Sequence, residues 1–387
     1  MSSEGGFGGF GGFGGFGGFG GFGGFGGTNF SGLGSFLGSG TVPIYDLTTT
    51  QGLQVSAQAI AHAAIPYEGT PDDFKQLNAG SVRNMPLWAD WVRSSLYLTK
   101  FISRLSWPVD KQNLSIAIHF NTGHRLEEVA RFVRPPEDVF AAQLKYLRNY
   151  ADQRPDRTPE IVTQLGLPTP YFLMLLDVHP ARSRRLLELI TITQVLASHV
   201  AMIVKDFLAC RRPDSLDPTI MPIIPTPGHG SFPSAHATEA FAVATVLRAM
   251  IHEVTEHFEV KGSDEKGNTI IIEDGERRKS LILKLAERVS VNRTVAGVHF
   301  PIDSWAGAAL GTVVGNLILG LAGSSTSYLL THVYAPRDAK KSPDFNLRLF
   351  HEKDPEHGLE VGGKRIGLTA DDKFKWLWDE AKAEFVP

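Results

Sequence analysis

Apolar residues recur at three- and four-residue intervals along most of the chain beyond residue 85, and that spacing predicts helices. It runs through "MPLWADWVRSSLYLTKFISRL" (85–105), "DVFAAQLKYLRNYA" (138–151) after "RPPE", and "RRLLELITITQVLASHVAMIVKDFLA" (184–209). It returns in "ATEAFAVATVLRAMIHEV" (237–254), "RRKSLILKLAERVSV" (277–291), residues 301–322 and the amphipathic "DDKFKWLWDEAKAEF" (371–385). Alternation is scarce, and only "KGNTIIIEDGE" (266–276) reads as a short hairpin. The expected fold class is therefore all-α, a helical bundle.

Two segments depart from this pattern. Residues 5–27 are seven copies of Gly-Gly-Phe and two trailing glycines. Glycine at that density costs too much backbone entropy to order, so residues 1–27 are expected to form a disordered arm with evenly spaced phenylalanines. Residues 28 to about 55 stay rich in Gly, Ser and Thr and are expected to run extended. The second departure is "AGAALGTVVGNLILGLAG" (306–323), just long enough to span a bilayer. Gly307, Gly311 and Gly315 recur there every four residues, which lets another helix approach closely. Asn316 and five glycines favour a buried core helix, and no second window is comparably clean, since Leu186–Leu208 carries Glu188, Gln194, His199, Lys205 and Asp206.

The 387 residues divide into the arm (1–27), a helical domain (28–335) and a polar extension with a terminal helix (336–387). A net charge of −3 gives no argument for nucleic acid or an anionic membrane surface, and no stable membrane insertion is expected. A single cysteine, Cys210, excludes a disulfide framework and a multi-thiolate metal site. "MSSEGGFGGF" has neither a basic n-region nor an apolar h-region, so a cytoplasmic or otherwise soluble protein is expected.

The chemistry gathers around "GSFPSAH" (230–236), with His229 just before it. A helix start needs one cap, which Ser234 supplies, so the histidines ask for a second reason. Upstream, Lys205 and Arg212 stand seven residues apart, two helical turns, so they are expected to share one face of the helix, which Pro213 then ends. Downstream, "NRTVAGVHFPID" sets Arg293, His299 and Asp303 within eleven residues. Pro301 suits the first turn of a helix, so His299 and Asp303 should lie a turn apart, with Asp303 holding one ring nitrogen while the other faces the site. Three cations, a hydroxyl, two helix N-termini and the histidines are donors that suit a compact tetrahedral oxyanion such as phosphate or vanadate. In that cradle Ser234 and the Ala235 amide donate and His236 transfers protons. Taken singly each residue has a duller reading: Lys205 and Arg212 as a solvated face, Arg293 as a surface arginine, His229 as a loop residue, His199 as structural and Cys210 as packing.

The joint pattern, Lys205-x6-Arg212-Pro213, then Pro233-Ser234-Ala235-His236, then Arg293-x5-His299-x3-Asp303, resembles the type 2 phosphatidic acid phosphatase / vanadium haloperoxidase superfamily over a motif core of 199–320. The resemblance implies helical bundles in which Lys205, Arg212 and Arg293 grip the anion and Ser234 and Ala235 complete the cradle. It makes His236 the acid/base, Asp303 the residue that orients His299, and His299 either a phosphorylated nucleophile or the protein ligand to vanadium. Ala235 stands where the family has Gly, and Asn292 where it often has Ser. His229, seven residues before His236, is similar to a second histidine of vanadium bromoperoxidases. That points to a vanadate-dependent haloperoxidase acting on hydrogen peroxide and a halide, bromide in the first instance, with a homodimer or higher oligomer as the expected assembly. The alternative is a soluble acid phosphatase without cofactor that works through a phosphohistidine. A third reading is an assembly protein that interacts through its Gly-Phe arm.

Overall fold

The computed structural model describes residues 47–63, 69–166, 168–179, 181–254, 258–263 and 269–385; the arm expected at 1–27 lies outside them. Two compact units separate near residue 97. In the first, helix α1 (Leu47–Ala63) occupies part of the stretch expected to be extended; α2 (Asp90–Ile102), which runs across the boundary, begins later than its apolar pattern. The buried Arg93 guanidinium there bonds the carbonyls of Met85 and Trp88 and the carboxylate of Asp90, so its charge is neutralised locally.

The second unit carries the site. Its helices are α3 (Glu137–Asn149), α4 (Arg154–Thr163), α5 (Thr169–Leu176), α6 (Arg184–Leu208), α7 (Ala235–Glu253), α8 (Asp274–Val295), α9 (Pro301–Ala322) and α10 (Asp372–Ala383). At its centre α7 packs along α9, with α6 and α8 beside α7. Every residue of α9 except Thr312 is buried, the condition of a helix that is apolar all round. The close approach rests on its glycines. A Cβ on Gly307 would stand 2.6 Å from the carbonyl oxygen of Ser234, one on Gly311 2.3 Å from that of Thr238, and one on Gly315 2.7 Å from Thr245 Cβ. The helical stretch Arg184–Leu216, which contains α6, and α9 are both long and apolar enough to cross a membrane; 78% and 94% of their most apolar windows are buried. The single clean window expected from sequence is thus two, because the charges of α6 cluster towards its ends.

The bundle is not purely helical. β1 (Leu105–Ser106), β2 (Val109–Asp110), β3 (Ser115–Asn121) and β4 (Leu126–Val133) form an antiparallel patch. β7 (His332–Tyr334) then adds in parallel to β4, and β8 (Leu359–Val361) antiparallel to β7. β8 and α10 lie in the expected 336–387 extension, yet they complete this sheet and pack on α6 and α9. The hairpin read at 266–276 is displaced: β5 (Glu259–Ser263) pairs with β6 (Thr269–Glu273), and the last three residues, 274–276, already belong to α8. A half-buried Glu253 at the end of α7 ties the C-terminal helix down, accepting from Trp378 Nε1 at 3.0 Å and Lys382 Nζ at 2.9 Å.

Candidate active site

Helix α6 ends at Leu208 because Ala209 turns left-handed, with φ of 48°. Lys205 and Arg212 therefore do not share a helical face, as their spacing had suggested. They meet because the chain reverses at Cys210, whose carbonyl accepts from the Ser231 amide at 2.9 Å. Both cations then bind the loop that leads into α7. Lys205 Nζ donates to the carbonyls of Gly230 and Ser231 at 2.8 and 2.9 Å. Arg212 donates through Nε to His229 O at 3.0 Å and through one terminal nitrogen to Val298 O at 2.7 Å. The Cys210 thiol is packed among these groups, and burial pushes it up to about 12, so it is inert.

Ser234 caps α7, its Oγ accepting from the Ala237 amide at 3.3 Å, and its own amide donates to the Asp303 carbonyl at 2.8 Å. The hydroxyl proton is left for another acceptor, and the amides of Ala235 and His236 open the first turn, where a helix has no internal acceptor. The N-terminus of α9 is spent differently from the sequence expectation. Gln143 on α3 accepts from the Ile302 amide at 3.1 Å, and Asp303 Oδ2 takes the Phe300 amide at 2.9 Å. Of these two helices, α7 is the one whose start is left for the site.

His299 lies between two partners that fix its tautomer. Nδ1 is 2.9 Å from Asp303 Oδ2, and Nε2 is 2.9 Å from a terminal nitrogen of Arg212. A guanidinium only donates, so Nε2 carries the lone pair and Nδ1 the hydrogen. Ser231, which no sequence motif singled out, donates its hydroxyl to the same Asp303 oxygen. Burial, then Arg212 and Lys205, push His299 well below the ordinary imidazole range, so the ring is neutral. Burial lifts Asp303 to about 6, opposed by the Ser231 hydrogen bond and the charge of Lys205, while its other oxygen, Oδ1, has no partner among the described residues. Lys205 is lowered by burial and by Arg212, and Arg212 is lowered to about 10 by burial.

His236 is held away from the role expected of it. Its Nε2 lies 3.0 and 3.1 Å from the carbonyls of Gln164 and Leu165, so that nitrogen bears the hydrogen and Nδ1 the lone pair. Burial and the neighbouring Arg293 keep it neutral. Arg293, 1% exposed, is the least satisfied of the three cations: among the described residues its bonds are 3.4 Å contacts to Ile161 O and Gln164 Oε1, and its Nε meets no acceptor. Beside it, Asn292 donates to Glu160 at 2.8 Å and Gln164 at 2.9 Å and accepts from Arg157 at 2.9 Å. A serine could not make that three-way joint, which accounts for Asn292. His229 Nδ1 lies 3.2 Å from Arg212. His199 lies apart, bonding Val195 O at 2.8 Å on its own helix.

The structure thus brings Lys205, Arg212, His229, Ser234, Ala235, His236, Arg293, His299 and Asp303 into one buried cluster. Sequence reasoning missed Ser231, Glu160 and Gln164. Three buried cations converge here on Asp303, whose readiness to ionise is depressed, while Glu239 and Glu160 act on Lys205 and Arg293 from beside the cluster, and the donors left over suit an anion.

Comparison with known proteins bears on this cluster. Residues 185–326 match the PAP2 superfamily. The decaprenylphosphoryl-5-phosphoribose phosphatases of two Mycobacterium tuberculosis strains (CDC 1551 / Oshkosh and ATCC 25618 / H37Rv) are each 28% identical over 127 residues, 33% of this chain and 56% of theirs. The chain therefore spans about half the length of the curated relatives it matches. Two solved structures are more distant. A transmembrane PAP2-type phosphatidylglycerolphosphate phosphatase from Bacillus subtilis is 18% identical with a TM-score of 0.38, covering 49% of this chain and 89% of that one. A bacterial vanadium-dependent iodoperoxidase is 15% identical with a TM-score of 0.26, covering 45% and 46%. Neither likeness is close enough to argue from.

Proposed function

We propose that this chain, which carries a PAP2-superfamily region at 185–326, hydrolyses phosphate monoesters through a phosphohistidine on His299. The observation that carries this reading is the fixed His299 ring, with Nδ1 tied to Asp303 and the Nε2 lone pair facing Arg212. The phosphatases among its sequence relatives support phosphoryl transfer over the halide oxidation that His229 suggested.

In the first step the Nε2 lone pair forms the N–P bond while the P–O bond to the alcohol breaks, its electron pair leaving on the alkoxide. Arg212, Lys205 and Arg293 take up the charge on the phosphoryl oxygens, with the Ser234 hydroxyl and the α7 amides as further donors. Arg293 and Arg212 help to depress His236, and a bound dianion offsets both, so His236 gains the proton that it passes to the alkoxide. It must do so through Nδ1 or a turned ring, since Nε2 is engaged by Gln164 and Leu165. Water then attacks phosphorus, gives its proton to His236, and the N–P electron pair returns to Nε2.

The same donors fit vanadate, and the Arg212–His229 contact favours this second reading. Lys205, Arg212, Ser234 and Arg293 would hold its oxygens and His299 would ligate it, the bound metal supplying a Lewis acid towards peroxide. One preparation separates the two. Hydrolysis of p-nitrophenyl phosphate that orthovanadate inhibits, with acid-labile, base-stable phosphate trapped on the wild type and absent from His299→Ala, supports the phosphatase. Vanadate-dependent bromination of an activated diketone, without phosphate release, would overturn it.

A further inference from the structure

We infer that a cavity between α7, α8, α9 and the segments that follow them is a second binding site, for an organic anion with an apolar body. The cavity holds about 560 Å³, within the range of small-molecule sites. It is separate from the catalytic cluster: Arg248, on its wall, follows His236 by twelve residues on α7, about 18 Å along the axis.

The charge of the wall is one-sided. Arg248, Lys279 and Lys353 line it with three histidines, and no carboxylate is among the described lining residues. Arg248 Nε is buried and meets no acceptor among the described residues, so a cation is carried into the cavity wall without a counter-ion at that atom. Lys279, 9% exposed, bonds Glu276, whose charge also reaches Arg248 and His252, but that carboxylate is 71% exposed and is not part of the lining. Lys353 stands at the mouth, on the left-handed residue that ends the short helix Leu347–Glu352. The charges of Arg248 and Lys353 both reach His351, which joins them in one positive field. The opposite requirement comes from the rest of the wall. Phe241 and Phe350 meet there with ring centroids 5.5 Å apart, beside Leu319 and Leu330. A bare inorganic anion would leave that surface wet, whereas an aromatic or acyl sulfonate, phosphonate or phosphate would cover it. A free metabolite and a lipid headgroup share this chemistry.

The test uses the full chain with orthovanadate at saturation, which occupies the catalytic cluster, and naphthalene-2-sulfonate as the probe in calorimetric titration. Phosphatidylglycerol vesicles form a parallel arm. Saturable one-to-one binding, weakened at least about tenfold in both Arg248→Met and Lys353→Met, is the expected result; both variants keep the wild-type circular dichroism and p-nitrophenyl phosphate turnover. Binding of the soluble probe identifies a free anion as occupant. Retention on vesicles alone, lost in the same variants, identifies a headgroup. No saturable binding in either arm, or binding that both substitutions leave unchanged, would overturn the inference.

Discussion

Nδ1 of His299 and Oδ2 of Asp303 meet at 2.9 Å across the first turn of α9, inside a cluster in which Asp303 titrates at about 6. An ionised Asp303 is what holds the Nδ1 hydrogen and keeps the Nε2 lone pair in place. As pH falls through 6 the carboxyl protonates and that hold is lost. The expected outcome is an acid limb in kcat/KM for p-nitrophenyl phosphate near pH 6, falling about tenfold per pH unit below it. In Asp303→Asn the limb should vanish and kcat fall by about 10²–10⁴. A limb that survives the substitution belongs to another group. The same raised pKa has a stability consequence of opposite sense: the fold favours the neutral carboxyl, and that contribution, full below about pH 4, is lost as pH rises through 6.

Arg293 is buried with poor bonds, so its charge is a cost to the ligand-free fold. Arg293→Met should raise the stability of the ligand-free protein by about 1–2 kcal/mol. Phosphate or vanadate at a hundred times Kd should stabilise the wild type by about 2.7 kcal/mol and the variant much less at the same concentration. Denaturant unfolding with and without the anion measures both quantities. A variant that is destabilised when free, or that responds to the anion as the wild type does, refutes the assignment.

A methyl group at Gly311 would have to sit 2.3 Å from the Thr238 carbonyl oxygen. Gly311→Ala should therefore push α7 and α9 apart, lowering stability by about 1–3 kcal/mol. The stronger prediction is functional. His236 and Ser234 lie on one side of that contact and His299 and Asp303 on the other, so kcat should drop more than the folded fraction does. Thermal unfolding paired with active-site titration separates the two effects.

Asn292 joins Arg157, Glu160 and Gln164, and Gln164 in turn meets Arg293 and His236. Asn292→Ala leaves Glu160 and Gln164 without their shared donor, at a cost of about 1–3 kcal/mol. KM for p-nitrophenyl phosphate should rise with a smaller change in kcat, because a positioning residue of the anion cradle is lost and the nucleophile is untouched. An equal fall in kcat with KM unchanged would contradict this.

How much of this was legible depended on how local each determinant is. Helices at 138–151, 237–254 and 301–322 announce themselves through their own periodicity, and the glycines of α9 through their spacing. The sheet does not, because β7 has three residues and its partner Ala130 lies some two hundred positions from His332. The end of α6 was misplaced because a left-handed alanine at 209 carries no sequence signal. The motif residues of the site were readable from their order and spacing. Glu160 and Gln164 were not, since "TPEIVTQ" reads as an ordinary polar helix until the fold sets it against Asn292. Ser231 stood within the conspicuous stretch, but only the folded loop shows that its hydroxyl is aimed at Asp303.

The contact between α7 and α9 also settles where the site can open. With backbone set against backbone at Gly307 and Gly311 and against the Thr245 side chain at Gly315, the two helices can neither slide nor roll without collision. A substrate cannot enter by parting them. The two segments bonded by the cluster's own side chains are the 229–231 loop, held by Lys205 and Arg212, and the Gln164–Leu165 turn, held by His236. An anion that recruits those side chains would compete with these bonds, so its binding and the release of the two segments would be one exchange of partners.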